Sequence, residues 1–373
     1  MVVPLAVRSL AAAAGTLLVL TAWVSVVETL VVPRPSSGWL TRWVDKIVDE
    51  MYTLIARMIE DQRRRDRVLA RQAATILLWQ LAAWLGISYL GFALLLWPFD
   101  PHGIGSAFTI AGSSMFTLGF AAPVGAAPSV IVFAAAATGL VIITLQIAYL
   151  PALYASYNRR ETEVALLNAR AGVPSWGPEL LARTHYALGS GVSTLDTLPD
   201  VYDLWERWAA DVAESHTTYL PLIRFRSPRA LSSWVTALLA VLDSAALMLS
   251  LSPKAAPTVP ARLCLRGGFL CFNQIAQGMG IEVPEEREAG GQISLTYEEF
   301  LVAVDRMREV DFPIERDPAE AWPDFVGWRV NYERTAYALA ASVHAVRALW
   351  SGPRRYQGPA IPPIRPPLGR PPK

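Results

Sequence analysis

Cysteine, histidine and charge are all scarce in this chain of 373 residues: two cysteines, four histidines, and 17% charged side chains. Two cysteines exclude a disulfide scaffold. Cys264 and Cys271 are seven apart, which places them on one face of a helix but too far apart for easy bridging, so they read as reduced core residues. His102, His185, His216 and His344 are too scattered for a metal signature. A net charge of +1 supplies no basic excess for nucleic acid, and no nucleic-acid partner is expected. There is no glycine-rich strand-turn-helix fingerprint for nucleotides and no long alternating run for a strand. Glu214, His216 and Asp243 are the one set from which an acid–base site can be imagined, and capped helix ends with a core contact explain them more simply. No enzyme is expected. The largest absence is local: from Pro101 to Asn158 there is no Lys, Arg, Asp or Glu.

What the chain has instead is apolar length. With 53% hydrophobic residues it is too greasy for one soluble globule and reads as a membrane protein with a soluble part. Three stretches can cross a hydrocarbon core of ~30 Å, which takes ~20 helical residues: Leu10 to Val32, Ala73 to Trp97, and Ser129 to Tyr149. The first follows Arg8 as a signal peptide would, but no small-x-small cleavage site follows it, so it reads as a retained anchor. Orientation comes from the flanks. Arg34, Arg42, Lys46, Arg57, Arg63, Arg64, Arg65, Arg67 and Arg71 lie between the first two spans, and no Lys or Arg lies between the second and third. The positive-inside rule makes the basic segment cytoplasmic. A multi-pass protein of the cell membrane is expected, with the N-terminus outside and everything after Arg159 and Arg160 inside.

In the basic segment Leu40, Trp43, Ile47, Met51, Leu54 and Met58 recur at three and four, with Asp45, Lys46, Asp49, Glu50 and Arg57 mostly opposite. That is an amphipathic helix, lying along the inner membrane surface or packing on the cytoplasmic domain. The run Arg63, Arg64, Arg65 sets topology and is a candidate for anionic lipid. After Asn158 the pattern turns polar and helical, broken by turn-rich gaps at 187–200, 252–260 and 282–293. Thr296 with Glu299 forms a capping box, and Asp317-Pro318 with Glu320 marks a second helix start. Leu231 to Leu251 is nearly apolar enough for a fourth span, but Asp243 in its middle favours a buried core helix. The Pro- and Arg-rich end reads as disordered, with Pro-x-x-Pro spacing.

The connection from Pro98 to Pro128 is the informative stretch. Gly105 to Met115 makes a helix of ~16 Å, half the membrane, and five extended residues from Phe116 to Phe120 return ~16 Å. These lengths suit a re-entrant pore loop. Non-helical backbone survives at that depth only when buried in protein or lining a watery cavity, where carbonyls without N–H partners can bind a cation.

Thr117-Leu118-Gly119-Phe120 resembles the Thr-x-Gly-Tyr/Phe core of the potassium-channel selectivity filter, followed, as in that family, by one more span. The resemblance covers about Ala73 to Arg160. It implies a homotetramer with the filter on its axis, in which the carbonyls of Thr117, Leu118, Gly119 and Phe120, with the Thr117 hydroxyl, replace the hydration shell of a monovalent cation, potassium first. It implies no other cofactor. Gly139 falls where family inner helices often carry a gating glycine. The family's second filter glycine is Ala121 here. A strand alternating through positive φ would cost an alanine ~1 kcal/mol or more, so a relaxed outermost ion site is expected. Asp100 is a candidate outer-mouth charge or a plain turn residue, and Thr138, Thr144 and Gln146 either line an inner cavity or hold helices together.

The expected protein is therefore all-α and integral to the membrane, with three transmembrane helices, a re-entrant pore loop and a helical cytoplasmic domain. Its parts are an anchor (1–32), a basic amphipathic helix (33–71), a pore module (72–160), a cytoplasmic domain (161–351) and a tail (352–373). The expected function is a tetrameric cation channel gated by that domain. The alternative is a non-conducting, channel-like membrane sensor or scaffold.

Overall fold

The computed structural model describes residues 4–32, 38–186, 194–283, 292–356 and 358–364. Among these residues the protein is all-α, with no strand beyond an isolated bridge between Ala348 and Ile361. Four helices are long and apolar enough to cross a membrane. The chain divides into two units that interleave in sequence: Met1–Met51 with Arg71–Tyr154, and Tyr52–Ala70 with Ala155–Lys373. The expected partition into successive pieces therefore does not describe the packing. Arg34 of the basic run lies outside the described residues.

In the first unit, α1 (Leu5–Leu30) lies antiparallel on α4 (Gln72–Leu96). Arg8 donates to the Pro98 carbonyl at one end, and the Trp84 indole N–H donates to Ser25 Oγ, 3.0 Å, further along. Between these contacts a Cβ on Gly15 would stand 2.5 Å from the Gly91 carbonyl oxygen. Paired glycines thus let the two backbones approach, as small residues do between membrane helices. This contact packs the N-terminal helix directly on α4.

The basic segment forms two helices, α2 (Trp39–Met58) and α3 (Gln62–Leu69), because Asp61 caps the second by accepting from the Arg64 N–H at 2.8 Å. Its arginine run does not act as a set. Arg65 is buried, bonded to the Ala56 and Ile59 carbonyls and to Gln62, with its guanidinium 4.0 Å from the Tyr356 ring centroid. Arg63 and Arg64 are exposed. A short helix, α5 (Ile104–Met115), packs on α4 with Tyr89 against Phe108, and α6 (Ala126–Ala171) begins in this unit and ends in the other. Pro151 lies inside α6 without ending it.

The second unit continues with α7 (Gly177–Tyr186), α8 (Leu198–Thr218), α9 (Trp234–Leu251), α10 (Thr258–Gly278), α11 (Tyr297–Arg308), α12 (Pro318–Arg329) and α13 (Glu333–Ser342). At its centre is α9, touched by α7, α8, α10, α12 and α13. Its apolar window is 94% buried, against 28%, 33% and 28% for the three long helices of the first unit. An apolar circumference enclosed by protein on every side is a core helix. Asp243 is tolerated there because Arg329 and the Tyr332 hydroxyl, at 2.8 Å, both donate to it. Both expected helix starts form: Thr296 and Glu299 close a capping box, and Asp317 accepts from the Ala319 N–H at 2.8 Å. Cys264 and Cys271 are buried and unbridged, and burial pushes both thiols up.

The described part of the expected disordered tail, residues 352–356 and 358–364, packs on the second unit. Arg354 is buried and donates to the carbonyls of Ala345, Val346 and Ser351. The Ile361 N–H donates to the Arg347 carbonyl at 2.7 Å, and the Ile364 N–H to that of Val173 at 2.9 Å. Proline-rich composition misleads here because an extended strap needs few donors of its own. The gaps at 187–193 and 284–291, and residues 365–373, lie outside the described residues.

Candidate functional site

The site is the end of α5 and the irregular chain after it. α5 starts at Gly103, whose φ of 94° turns the chain into the helix, and its twelve residues span about 18 Å. At its other end the Thr117 N–H donates to the Ser114 carbonyl at 3.0 Å and the Leu118 N–H to that of Ser113 at 2.8 Å. This pair of bonds is the Schellman arrangement, which needs a left-handed residue at the position of Thr117. Thr117 meets the requirement at φ 55°, a conformation that costs a side chain with a Cβ about 1–2 kcal/mol.

The bonding continues in the same sense. Phe116 N–H donates to the Gly112 carbonyl at 3.1 Å, Gly119 N–H to that of Ser113 at 3.2 Å, and Ala121 N–H to the buried Ser113 hydroxyl oxygen at 3.0 Å. Five N–H groups are thus folded back onto the last turn of the helix. Among the described residues, no donor reaches the carbonyls of Phe116, Thr117, Leu118, Gly119 or Phe120. All five residues are exposed on the chain. The loop therefore keeps its donors and presents its acceptors, at a helix C-terminus whose partial charge is also negative.

Positive φ recurs at Thr117 and at Gly119, which has φ 73° and open space where a Cβ would stand. Gly119 is thus required by conformation and not by crowding. The alternation stops there. Ala121 has no positive φ, so the strain expected of an alanine in the place of the second filter glycine does not arise.

The flanking candidates separate. Asp100 is buried, and its Oδ1 accepts from the His102 N–H at 2.9 Å, an Asx turn, with His102 Nδ1 at 3.3 Å. Burial works against its ionisation, but hydrogen bonds from Ser106 and His102 hold its carboxyl below the usual range. It lines a 240 Å³ cavity together with His102, Ser106 and the loop residues Ala121 to Val124, so the two ends of the α4–α6 connection meet there. As a buried turn residue Asp100 does not display its charge at an open mouth. Gly139 lies against the end of α5, where a Cβ would overlap the Met115 carbonyl oxygen. Close packing accounts for this glycine in the helix as it stands. Thr138 faces α1 and accepts from the Trp23 indole at 3.1 Å, Thr144 is exposed, and Gln146 is buried with Oε1 unbonded. Thr138 and Gln146 lie on the buried face of α6 and Thr144 on its exposed one.

The acid–base set does not assemble either. His216 Nε2 accepts from the Arg160 guanidinium at 2.8 Å, and its Nδ1 lies 3.0 Å from Ser215 Oγ. Burial and then Arg160 hold His216 well below its usual range; it is neutral, and Arg160 is the donor. Asp243 belongs to the separate Arg329 cluster, where burial pushes its carboxyl up to about 6, and Glu214 is exposed. Sequence reasoning missed Ser113, which holds three loop N–H groups through its carbonyl and hydroxyl. Its one legible signal was a polar residue in the last turn of a charge-free helix. Searches of protein-family models, curated proteins and solved structures find no match to the chain.

Proposed function

We propose that this protein is a tetrameric pore-loop cation channel, with potassium the first candidate ion. The observation that supports it most is the sorting of the loop backbone: the N–H groups of residues 116–119 and 121 satisfied internally, the carbonyls of 116–120 left open. At membrane depth, carbonyls without partners cost several kcal/mol each, and a ring of them around a watery axis turns that cost into cation coordination. In this reading α1, α4 and the first part of α6 are the three spans, α5 enters from the outside as a re-entrant pore helix, and the basic segment is cytoplasmic.

A cation sheds its water onto the oxygens of Thr117, Leu118, Gly119 and Phe120 from each protomer. Hydrogen bonds to Ser113 and Ser114 keep those oxygens from turning away. Conduction is passive. Gating falls to the second unit, because α6 carries the chain from Met115's packing partner Gly139 to Arg160, which is fixed there by Glu161, His216 and the Leu222 and Phe225 carbonyls.

The test is potassium flux into liposomes holding the purified full-length protein. Flux that Gly119→Asp abolishes and Thr117→Ala alters supports the reading. A folded tetramer with no flux under any condition leaves the sensor or scaffold, and a monomer in detergent by mass measurement overturns the pore.

A further inference from the structure

Helix α2 is amphipathic in the inverted sense. Over Trp39–Met51, the part that belongs to the first unit, Thr41, Asp45 and Asp49 point into the unit, while Arg42, Lys46 and Glu50 are exposed. Thr41 Oγ1 lies 3.0 Å from Thr29 Oγ1 and 3.3 Å from Ser25 Oγ; Asp45 accepts from Gln80 Nε2 and Asp49 from Gln72 Nε2, both at 2.9 Å. The apolar side faces out. Trp39, Trp43, Ile47 and Met51, one per turn, are 52%, 59%, 60% and 42% exposed. A helix on a water-soluble protein buries that stripe and shows its carboxylates.

Three observations say what covers it. First, the residues that α2 bonds to, Ser25 and Thr29 on α1 and Gln72 and Gln80 on α4, lie at the ends of these span-length helices that the basic segment joins. The stretch of α4 from Trp84 to Gln72 covers about 18 Å along the helix, the scale of half a hydrocarbon core. Second, outward side chains beside those contacts, Leu78 and Trp79 on α4, are themselves 67% and 60% exposed, so the stripe extends an apolar surface already there. Third, the exposed Arg42 and Lys46 follow Trp39 and Trp43 at three residues, along the edge of the stripe. Long cationic stems placed so reach out of an apolar layer to its phosphates, and tryptophan favours the same boundary.

We propose that the Trp39–Met51 half of α2 is an interfacial membrane helix: its stripe lies among the acyl chains of the leaflet on the basic side, and Arg42 and Lys46 hold anionic headgroups. This rests on α1 and α4 being spans and is independent of whether the loop conducts.

The test uses the full-length protein in vesicles of phosphatidylcholine with or without phosphatidylglycerol. A nitroxide is attached at Ile47→Cys and, as control, at Glu50→Cys; the native cysteines are buried. Expected is a ratio of oxygen to nickel-chelate accessibility several-fold higher at 47 than at 50, and a shift in the label's mobility on adding phosphatidylglycerol that Arg42→Gln with Lys46→Gln abolishes. A label at 47 open to the nickel chelate overturns the proposal, as does one closed to both reagents and broadened by its copies, which places a second protomer on the stripe. A mobility unchanged by phosphatidylglycerol overturns the headgroup contact. Flux on the same vesicles separates the two readings: a lipid-exposed stripe without flux counts against the channel alone.

Discussion

α9 and the long helices of the first unit have similar apolar windows, with mean hydropathies of 1.9 against 2.1, 1.6 and 2.4, yet opposite surroundings. α9 is enclosed by protein, and the others keep about two thirds of their windows open. Hydropathy measures what a helix wants to leave, which is water, and says nothing about what receives it. The polar residues carry that information. In α9 a full charge is held by a cation and a hydroxyl from other helices of the unit. In the first unit the inter-helix bonds run mostly between uncharged partners, Trp84 to Ser25 and Trp23 to Thr138.

The contrast breaks most sharply at Arg329. Arg329→Met leaves Asp243 and Glu333 buried without their cation, and should cost about 3–5 kcal/mol, read as loss of the cooperative unfolding transition of the full-length protein in detergent. Leu78→Ala, on an open helix face, should cost about 0.5 kcal/mol or less in the same measurement. Next in size is Gly139→Ala, where the new methyl meets the Met115 carbonyl. Overpacking of this kind costs about 1–3 kcal/mol, and here it should appear as lowered thermal stability and, on the proposed channel reading, as changed flux, since the displaced atoms carry the loop.

Smaller still, Ser113→Ala removes the acceptor of the Ala121 N–H at about 1 kcal/mol. On the proposed channel reading, it should alter ion selectivity in liposome flux without changing the particle mass measured in detergent. The least effect should be the pH dependence that Glu179 contributes in the second unit. Burial raises the Glu179 carboxyl, but Arg306 and Arg183 outweigh it and hold the group below its usual range. A depressed carboxylate contributes stability above its unfolded value of ~4.3, and that stability is lost as pH falls through the folded value. Unfolding followed from neutral pH downward should show this loss, and Glu179→Gln should remove it.

Much of the helical layout was legible because its signals are local. The long apolar runs, the Thr296 capping box, the Asp317-Pro318 start and the reading of α9 as core from its single Asp243 all rest on residues a few positions apart. The loop was legible in part: the end of the short helix at Met115 was, but the extended return over Phe116–Phe120 was not, because residues 116–119 fold back onto the carbonyls of Gly112, Ser113 and Ser114. What escaped depends on contacts distant in sequence. Gly15 against Gly91, Gly139 against Met115, Ser113 beneath Ala121 and the Arg354 strap each need the fold before their purpose can be read. Composition misjudged the strap and the arginine run for the same reason: Arg65 and Arg354 are surface residues by type and buried by circumstance.

Because Ser113 gathers the loop's donors, the carbonyl acceptors left without partners belong to the main chain, which all amino acids possess in common. Those acceptors do not depend on the identities of Leu118 and Phe120, whereas their presentation depends on Ser113, a residue in the last turn of α5.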